Sequence, residues 1–339
     1  MKKDSIIMRM SDGKKIVVHR WMPDKKTPVI GLIQLSHGMI EYAMRYDAFG
    51  EQLAEKGFVL YAHDHRGHGE TAETADELGY LADVDGFQRV VLDLREVLNR
   101  LKADYPGHKA FIFAHSFGSF VAQSFIEQFP CDIDGCILAG TAGPRKALIT
   151  TARIVCRFLM LFGGKKRRSK FMAGLSFAGY NSRFDKSEGS RAWLSRDLDC
   201  IAQTSNNVYC TFTPTLAFYS DMLTGLNRIH KQKNIRMIPK ALPVLFLTGT
   251  DDPVGSYTST VRKLADIYKK NGMTEVTFKT YEGARHELLN ETNKVEVIAD
   301  IFAWLNAQLE RNKHAGNTAE TAPESDEAKF AALKELLQD

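Results

Sequence analysis

Short, mainly apolar runs recur along the chain at residues 29–35 (VIGLIQL), 58–62 (FVLYA), 110–114 (AFIFA), 136–139 (CILA) and 244–247 (VLFL). Each is too short for a helix, and together they are rich in Val, Ile, Leu and Phe, the pattern of strands buried on both faces. Between the runs the period changes. Phe87, Val90, Val91, Leu94, Val97, Leu98 and Leu101 form one apolar stripe at i, i+3, i+4 spacing, which predicts an amphipathic helix. Residues 256–271, stopping before Gly272, and residues 295–309 predict two more helices. Strands that alternate with helices in this way predict an α/β architecture, a mostly parallel central sheet with helices on both faces.

The alternation breaks once. Residues 144–240 hold helical stretches and many basic residues but no clear strand–helix unit, so a helical cap is expected there, inserted between a first core segment (1–143) and a second (241–311). Residues 312–339 begin as a polar linker (NKHAGNTAETAPES) and end in a short amphipathic helix, with Ser325 as N-cap and Phe330, Leu333 and Leu337 on one face.

Composition narrows the class. The 339 residues are 44% hydrophobic and 25% charged, ordinary for a soluble globular protein, and the net charge of +4 is too small to argue for a nucleic-acid partner. The first fifteen residues are basic without an apolar run, so no signal peptide is expected, and no stretch approaches the ~20 apolar residues of a membrane span. Cys131, Cys136, Cys156, Cys200 and Cys210 are odd in number and lack CxxC spacing. Free thiols in a reducing, cytoplasmic setting are the expectation.

The run at 110–114 stops abruptly at His115-Ser116, and a helix pattern follows. A serine hydroxyl is a weak nucleophile until a base takes its proton. Ala114-His115-Ser116-Phe117-Gly118 fits G-x-S-x-G, the sharp strand-to-helix elbow that presents such a serine, with alanine in place of the first glycine. The partners should follow in the order acid, then histidine, each just after a strand. LPVLFLTGTDDPV supplies Asp252, with Asp251 as the fallback one residue earlier, and VTFKTYEGARHE supplies His286 after a strand-like run. Oxyanion donors are expected from the backbone N–H of Phe117, next to the nucleophile, and of Met39, in the His37-Gly38 loop after an earlier strand. His37 frames that loop and is assigned no chemistry.

These motifs together resemble the α/β-hydrolase superfamily, and within it the monoacylglycerol lipase and lysophospholipase-like group. HGMIEYAMRY (37–46) fits that group's H-G-x-x-E-x-x-x-R-Y segment, DHRGHG (64–69) its D-x-x-G-H-G loop, and RHELLNE (285–291) the segment around its catalytic histidine. The resemblance spans residues 5–311, with the cap its loosest part. It implies an α/β-hydrolase fold in which Asp64 and Arg66 brace the loop near the oxyanion site, with Gly67 and Gly69 as turn residues. His63, His65 and His68 also spell H-x-H-x-x-H, a metal-like spacing. Gly67 stands where the metallo-hydrolase pattern needs an aspartate, so the loop reading is preferred and no metal or organic cofactor is expected.

The implied reaction is acyl transfer from a carboxylic ester through an acyl-enzyme on Ser116. The cap sequence ALITTARIVCRFLMLF (147–162), followed by GGKKRRSK, is a strongly apolar helix candidate beside a basic loop. Either it packs on the core with a solvated loop behind it, or it forms a hydrophobic entrance presented to an anionic lipid surface. The second reading favours monoacylglycerol or lysophospholipid substrates and a peripheral membrane contact. Trp193-Leu194, Phe212 and Phe218 either line an acyl pocket or belong to the cap core. Amide hydrolysis by the same triad, as in aminopeptidase-type relatives of this fold, and a non-catalytic binding protein are the alternatives; an intact triad counts against the latter.

Overall fold

The computed structural model describes the backbone of residues 1–316 and the side chains of residues 1–311, so the expected C-terminal helix lies outside the described residues. Eight strands form one sheet: β1 (Lys2–Arg9), β2 (Lys15–Met22), β3 (Gly31–Ser36), β4 (Phe58–His63), β5 (Ala110–His115), β6 (Gly135–Ala139), β7 (Val244–Gly249) and β8 (Val276–Tyr281). Their spatial order is β1-β2-β4-β3-β5-β6-β7-β8. β1 pairs with β2 and β2 with β4 antiparallel; every other pair is parallel.

All five apolar runs lie in the parallel part, where β3 to β7 are buried along their whole lengths. The β1–β2 hairpin carries no such run. As one of the two edge strands, β1 alternates exposed and half-buried positions, so its sequence is polar enough to be missed by a search for continuous hydrophobicity.

Helices α1 (Asp47–Glu55), α2 (Gly86–Asp104) and α3 (Phe117–Gln128) connect the first parallel strands. The chain between β6 and β7 carries α4 (Lys146–Gly163), α5 (Lys170–Ser176), α6 (Leu198–Ser205), α7 (Leu216–Ile229) and α8 (Gln232–Ile235). α9 (Ser259–Lys270) joins β7 to β8, and α10 (Lys294–Gly316) follows β8. α9 starts three residues later than its pattern predicts because Ser256, Tyr257 and Thr258 all have positive φ, a left-handed stretch that no α-helix tolerates. α10 runs past residue 311, where a polar linker was expected, to Gly316.

The two sheet faces make two cores. Leu32, Val59, Ile112, Leu138 and Phe246 face α2, α3 and α9, with α7 packed outside α2 and α3; Ile33, Leu60, Phe111, Ile137 and Leu245 face α1 and α10. Side chains alternate across each strand, so both sets come from the same runs. Each fully buried aliphatic or aromatic side chain contributes about 1.5–3 kcal/mol, which is why the centre of this sheet is its most apolar part.

The first turn of α3 lies against the end of β3. A Cβ on Gly118 would stand 2.1 Å from the Ser36 carbonyl oxygen and 2.5 Å from that of His37. Gly118→Ala is therefore expected to lower stability by about 1–3 kcal/mol, as overpacking does, and to shift the N-terminus of α3. Urea unfolding checks this; a wild-type midpoint would show that α3 has room to move.

Candidate active site

The ends of the parallel strands bring the chemistry together. Ser116 follows β5, Asp252 follows β7, His286 follows β8 and Met39 follows β3, all at the carboxyl edge where open α/β sheets place their ligands. Ser116 sits at φ 51°, ψ −119°, a strained non-glycine conformation. Its N–H donates to the Ala139 carbonyl at 3.0 Å, so β6 helps hold the turn. Ala114, where a glycine was expected, is fully buried in β5 and leaves the elbow intact.

Ser116 Oγ lies 2.9 Å from His286 Nε2. His286 Nδ1 lies 3.1 and 3.2 Å from the two carboxylate oxygens of Asp252, itself fully buried. A carboxylate only accepts, so Nδ1 carries the ring proton and Nε2 is left free to take one from Ser116. Asp252 is held in turn by the Val254 N–H at 2.8 Å. Asp251 does not reach the histidine; its N–H donates to the Ala284 carbonyl.

Met39 and Phe117 line the same cavity as Ser116, and neither amide is used in a turn or cap hydrogen bond among the described residues. His37 does frame the loop. Its Nε2 accepts from the His65 N–H at 2.9 Å, so Nδ1 holds the proton and donates to the Gly38 carbonyl at 2.8 Å.

The expected brace is only half present. Asp64 accepts from the Ala43 and Glu70 amides at 2.7 and 2.8 Å and so ties down the loop after β3. Arg66 turns the other way and pairs with Asp93 and Asp12, because α2 offers it a buried carboxylate. Gly67 and Gly69 have positive φ, as turn residues should. The three histidines of the metal-like spacing are tied into a packed cluster: His63 bonds Gln34 and His65, and His68 bonds the Arg66 carbonyl. Burial pushes His63 and His68 down to about 3, so they are neutral. Among the described residues no group of three or more potential ligands is arranged around a metal position.

Sequence reasoning missed the layer beneath this triad. Glu41 accepts from the Gly38 amide, from Arg45 at 3.0 Å, from Tyr46 at 3.0 Å and from His115 Nδ1 at 3.1 Å. Arg45 also forks onto Glu287 at 2.6 and 2.7 Å. His115 Nε2 faces the His286 carbonyl at 3.3 Å. Both ring nitrogens of His115 thus meet acceptors, the arrangement an imidazolium needs. Burial opposes that charge, but the Glu41 carboxylate outweighs it and raises the His115 pKa above the ordinary 6.5. The signal available beforehand was the i, i+4 spacing of Glu41 and Arg45 inside the H-G-x-x-E-x-x-x-R-Y segment, and Glu287 directly after the histidine.

Two chambers meet at Ser116. One, about 170 Å³, is apolar and lined by Phe120 and by residues of α4, α5 and α7 such as Ile149, Ala152, Met172 and Met222. The other, about 270 Å³, is more polar and includes Glu41, Arg45, Arg191, Thr204 and His286. Trp193 lies between them, its ring 5.1 Å from that of His286. Phe212 lines the polar chamber, whereas Phe218 is wholly buried against Phe117 and lines neither.

The family profile described as serine aminopeptidase, S33, matches residues 27–293. The chain belongs to this family. This S33-family chain is 27% identical over 309 residues to a monoglyceride lipase of Rattus norvegicus, covering 88% of the chain and 89% of that relative. It is 24% identical to a monoacylglycerol lipase of Mycolicibacterium smegmatis, with 88% and 95% covered. Among solved structures it resembles a thermostable carboxyl esterase from Bacillus coagulans in complex with glycerol, with a TM-score of 0.84, 25% identity and 91% and 99% coverage. The S33 fold and the strand-end geometry agree: the arrangement can carry out serine-based acyl transfer.

The His115–Glu41 contact has a pH consequence. A histidine whose folded pKa is raised stabilises the fold fully below its unfolded value, about 6.5, and that contribution is lost as pH rises through the folded value. The other shifted histidines, His37, His63, His65, His68 and His230, are lowered and act in the opposite sense only on acidification. Wild type should therefore lose stability relative to His115→Asn as pH rises from about 6 to about 9. Urea midpoints across that range check it; parallel curves would mean His115 is neutral.

Proposed function

We propose that this protein hydrolyses carboxylic esters of monoacylglycerol or lysophospholipid type, with Ser116 as nucleophile, His286 as general base and then acid, and Asp252 as its orienting partner. Met39 and Phe117 amides bind the oxyanion of the tetrahedral intermediate. Ser116 attacks the acyl carbon while His286 takes its proton; the alcohol leaves with that proton, and water drawn by the same histidine releases the fatty acid. The observation that carries the substrate class is the apolar chamber opening on Ser116 from α4, α5 and α7, which suits an acyl chain. The similarity to monoglyceride lipases and a carboxyl esterase supports ester cleavage. Amide cleavage of a peptide is less well served: a free amino terminus needs an available carboxylate, and Glu41 and Glu287 are both committed to Arg45.

In this reading residues 144–240 act as a cap that selects the acyl chain and meets the lipid surface. α4 turns Ile154, Phe158, Leu161 and Phe162 outward, with Leu161 81% exposed, beside Lys165, Lys166 and Arg167. Apolar side chains flanked by cations suit peripheral contact with an anionic bilayer. No helix among the described residues is long and apolar enough to cross one. The five unpaired thiols support a cytoplasmic location.

The primary test compares wild type and Ser116→Ala on p-nitrophenyl esters of two, eight and sixteen carbons. Wild type should prefer the longer chains, and the variant should lose about 10³-fold or more in kcat; activity that survives the substitution sinks the triad. Ala152→Phe, which fills the apolar chamber, should lower kcat/KM on the sixteen-carbon ester about tenfold or more while sparing the two-carbon one, because each buried CH₂ is worth about 0.8 kcal/mol. An equal loss on both would place the acyl chain elsewhere. Phe158→Glu/Leu161→Glu should weaken co-sedimentation with anionic vesicles; unchanged binding would remove α4 from the contact.

A further inference from the structure

The polar chamber holds two arginines in different electrostatic states. Arg45 is neutralised, with Glu41 at 3.0 Å and Glu287 at 2.6 Å. Arg191, half-buried in the loop before Trp193, donates to the Cys210 carbonyl at 2.8 Å and to Thr204 Oγ1 at 3.4 Å. Both acceptors are neutral, and no carboxylate is among its partners in the described structure. Those two bonds occupy two of the five guanidinium N–H donors. Ser190 and Thr211 add hydroxyls to the same chamber, which Ser116 and His286 also line.

A partly desolvated guanidinium with spare donors and no carboxylate is a site for an anion, and its planar fork matches phosphate. Because the acyl chain fills the apolar chamber in the reading above, on which this inference rests, the polar chamber receives the alcohol. We propose that Arg191 binds an anionic group on the leaving alcohol, a phosphate monoester, so that the preferred substrate is an acylglycerol phosphate. The bond made is Ser116 Oγ to acyl carbon; the bond broken is acyl carbon to glycerol oxygen. That oxygen takes the proton His286 removed from Ser116, and glycerol phosphate departs with its phosphate unchanged. Water then restores Ser116. Arg191 touches no reacting atom, so it is a specificity determinant.

The experiment measures kcat/KM of wild type, Arg191→Gln and Arg191→Lys on three lipids sharing one acyl chain: 1-oleoylglycerol, 1-oleoylglycerol 3-phosphate and 1-oleoyl-glycerophosphocholine. Wild type should favour the phosphate monoester over the neutral lipid by about 10- to 100-fold, the worth of a charge-assisted hydrogen bond. Arg191→Gln should bring that ratio close to unity, mainly through KM, and Arg191→Lys should keep part of it. A residue that only ties its loop to Cys210 and Thr204 would change all three rates together and leave the ratio unmoved, which overturns the assignment. Free glycerol 3-phosphate, against glycerol as control, should inhibit wild-type hydrolysis of p-nitrophenyl octanoate and lose potency in Arg191→Gln. That arm separates the phosphate itself from effects of lipid packing. A wild-type ratio at or below one overturns the anionic specificity alone. Ser116-dependent cleavage of the p-nitrophenyl ester with none of the three lipids cleaved overturns the lipid reading as well. Preference for the choline ester would replace a monoester anion with a zwitterion and also overturns the proposal.

Discussion

The interaction on which the rest of this site depends is the buried cluster of Glu41, Arg45, His115 and Glu287. Each carboxylate is almost fully withdrawn from water, which costs several kcal/mol per ion unless it is repaid by close partners. Glu41 is repaid by four donors and Glu287 by the Arg45 fork. The members of the cluster come from different parts of the chain: Glu41 and Arg45 from the loop after β3, His115 from the end of β5, and the acceptor Glu287 from the segment after β8. The partners cannot separate without stranding a buried charge. The cluster thus clamps together the three segments that supply Met39, Ser116 and His286.

That clamp explains how a strained serine persists. Ser116 occupies a left-handed conformation with no glycine to relieve it. The surroundings over-determine it: Gly118 lets α3 meet the Ser36 and His37 carbonyls closely, and β6 receives the Ser116 N–H. Stability is spent locally at the elbow and recovered in the sheet beneath, where the strands on either side are wholly buried. The two chambers above then differ in character because their walls differ in origin. Apolar faces of α4, α5 and α7 build one, and the polar loops around Ser190 and Thr211 build the other.

Much of this was legible in residues alone. A run such as AFIFA can satisfy its backbone and bury its side chains only as an interior strand, so β5 and the abrupt appearance of Ser116 at its end followed from pattern. Asp252 was legible for the same reason, after the run VLFL, and His286 from the strand-like VTFKTY before it, which forms the opposite edge of the sheet. β1 was not, because an edge strand faces water along one side and its pattern resembles a polar segment. The start of α9 was misplaced because three consecutive left-handed residues, Ser256 to Thr258, carry no glycine to announce them. Arg66 was expected to brace the loop near the oxyanion site, and nothing in DHRGHG tells that its partner is Asp93, on the following helix.

The sequence by itself determined the architecture, the chain order of Ser116, Asp252 and His286 and the loop that carries Met39, because periodicity and strand ends are local properties that survive without coordinates. Only the tertiary structure decided that Asp252 rather than Asp251 meets His286, that Glu41 reaches across to His115, and that Arg45 is neutralised while Arg191 in the same chamber is not. Those are facts of distance between residues far apart in sequence. In a low-dielectric interior a charge is governed by what stands within a few ångströms of it, and that neighbourhood exists only once the chain has folded.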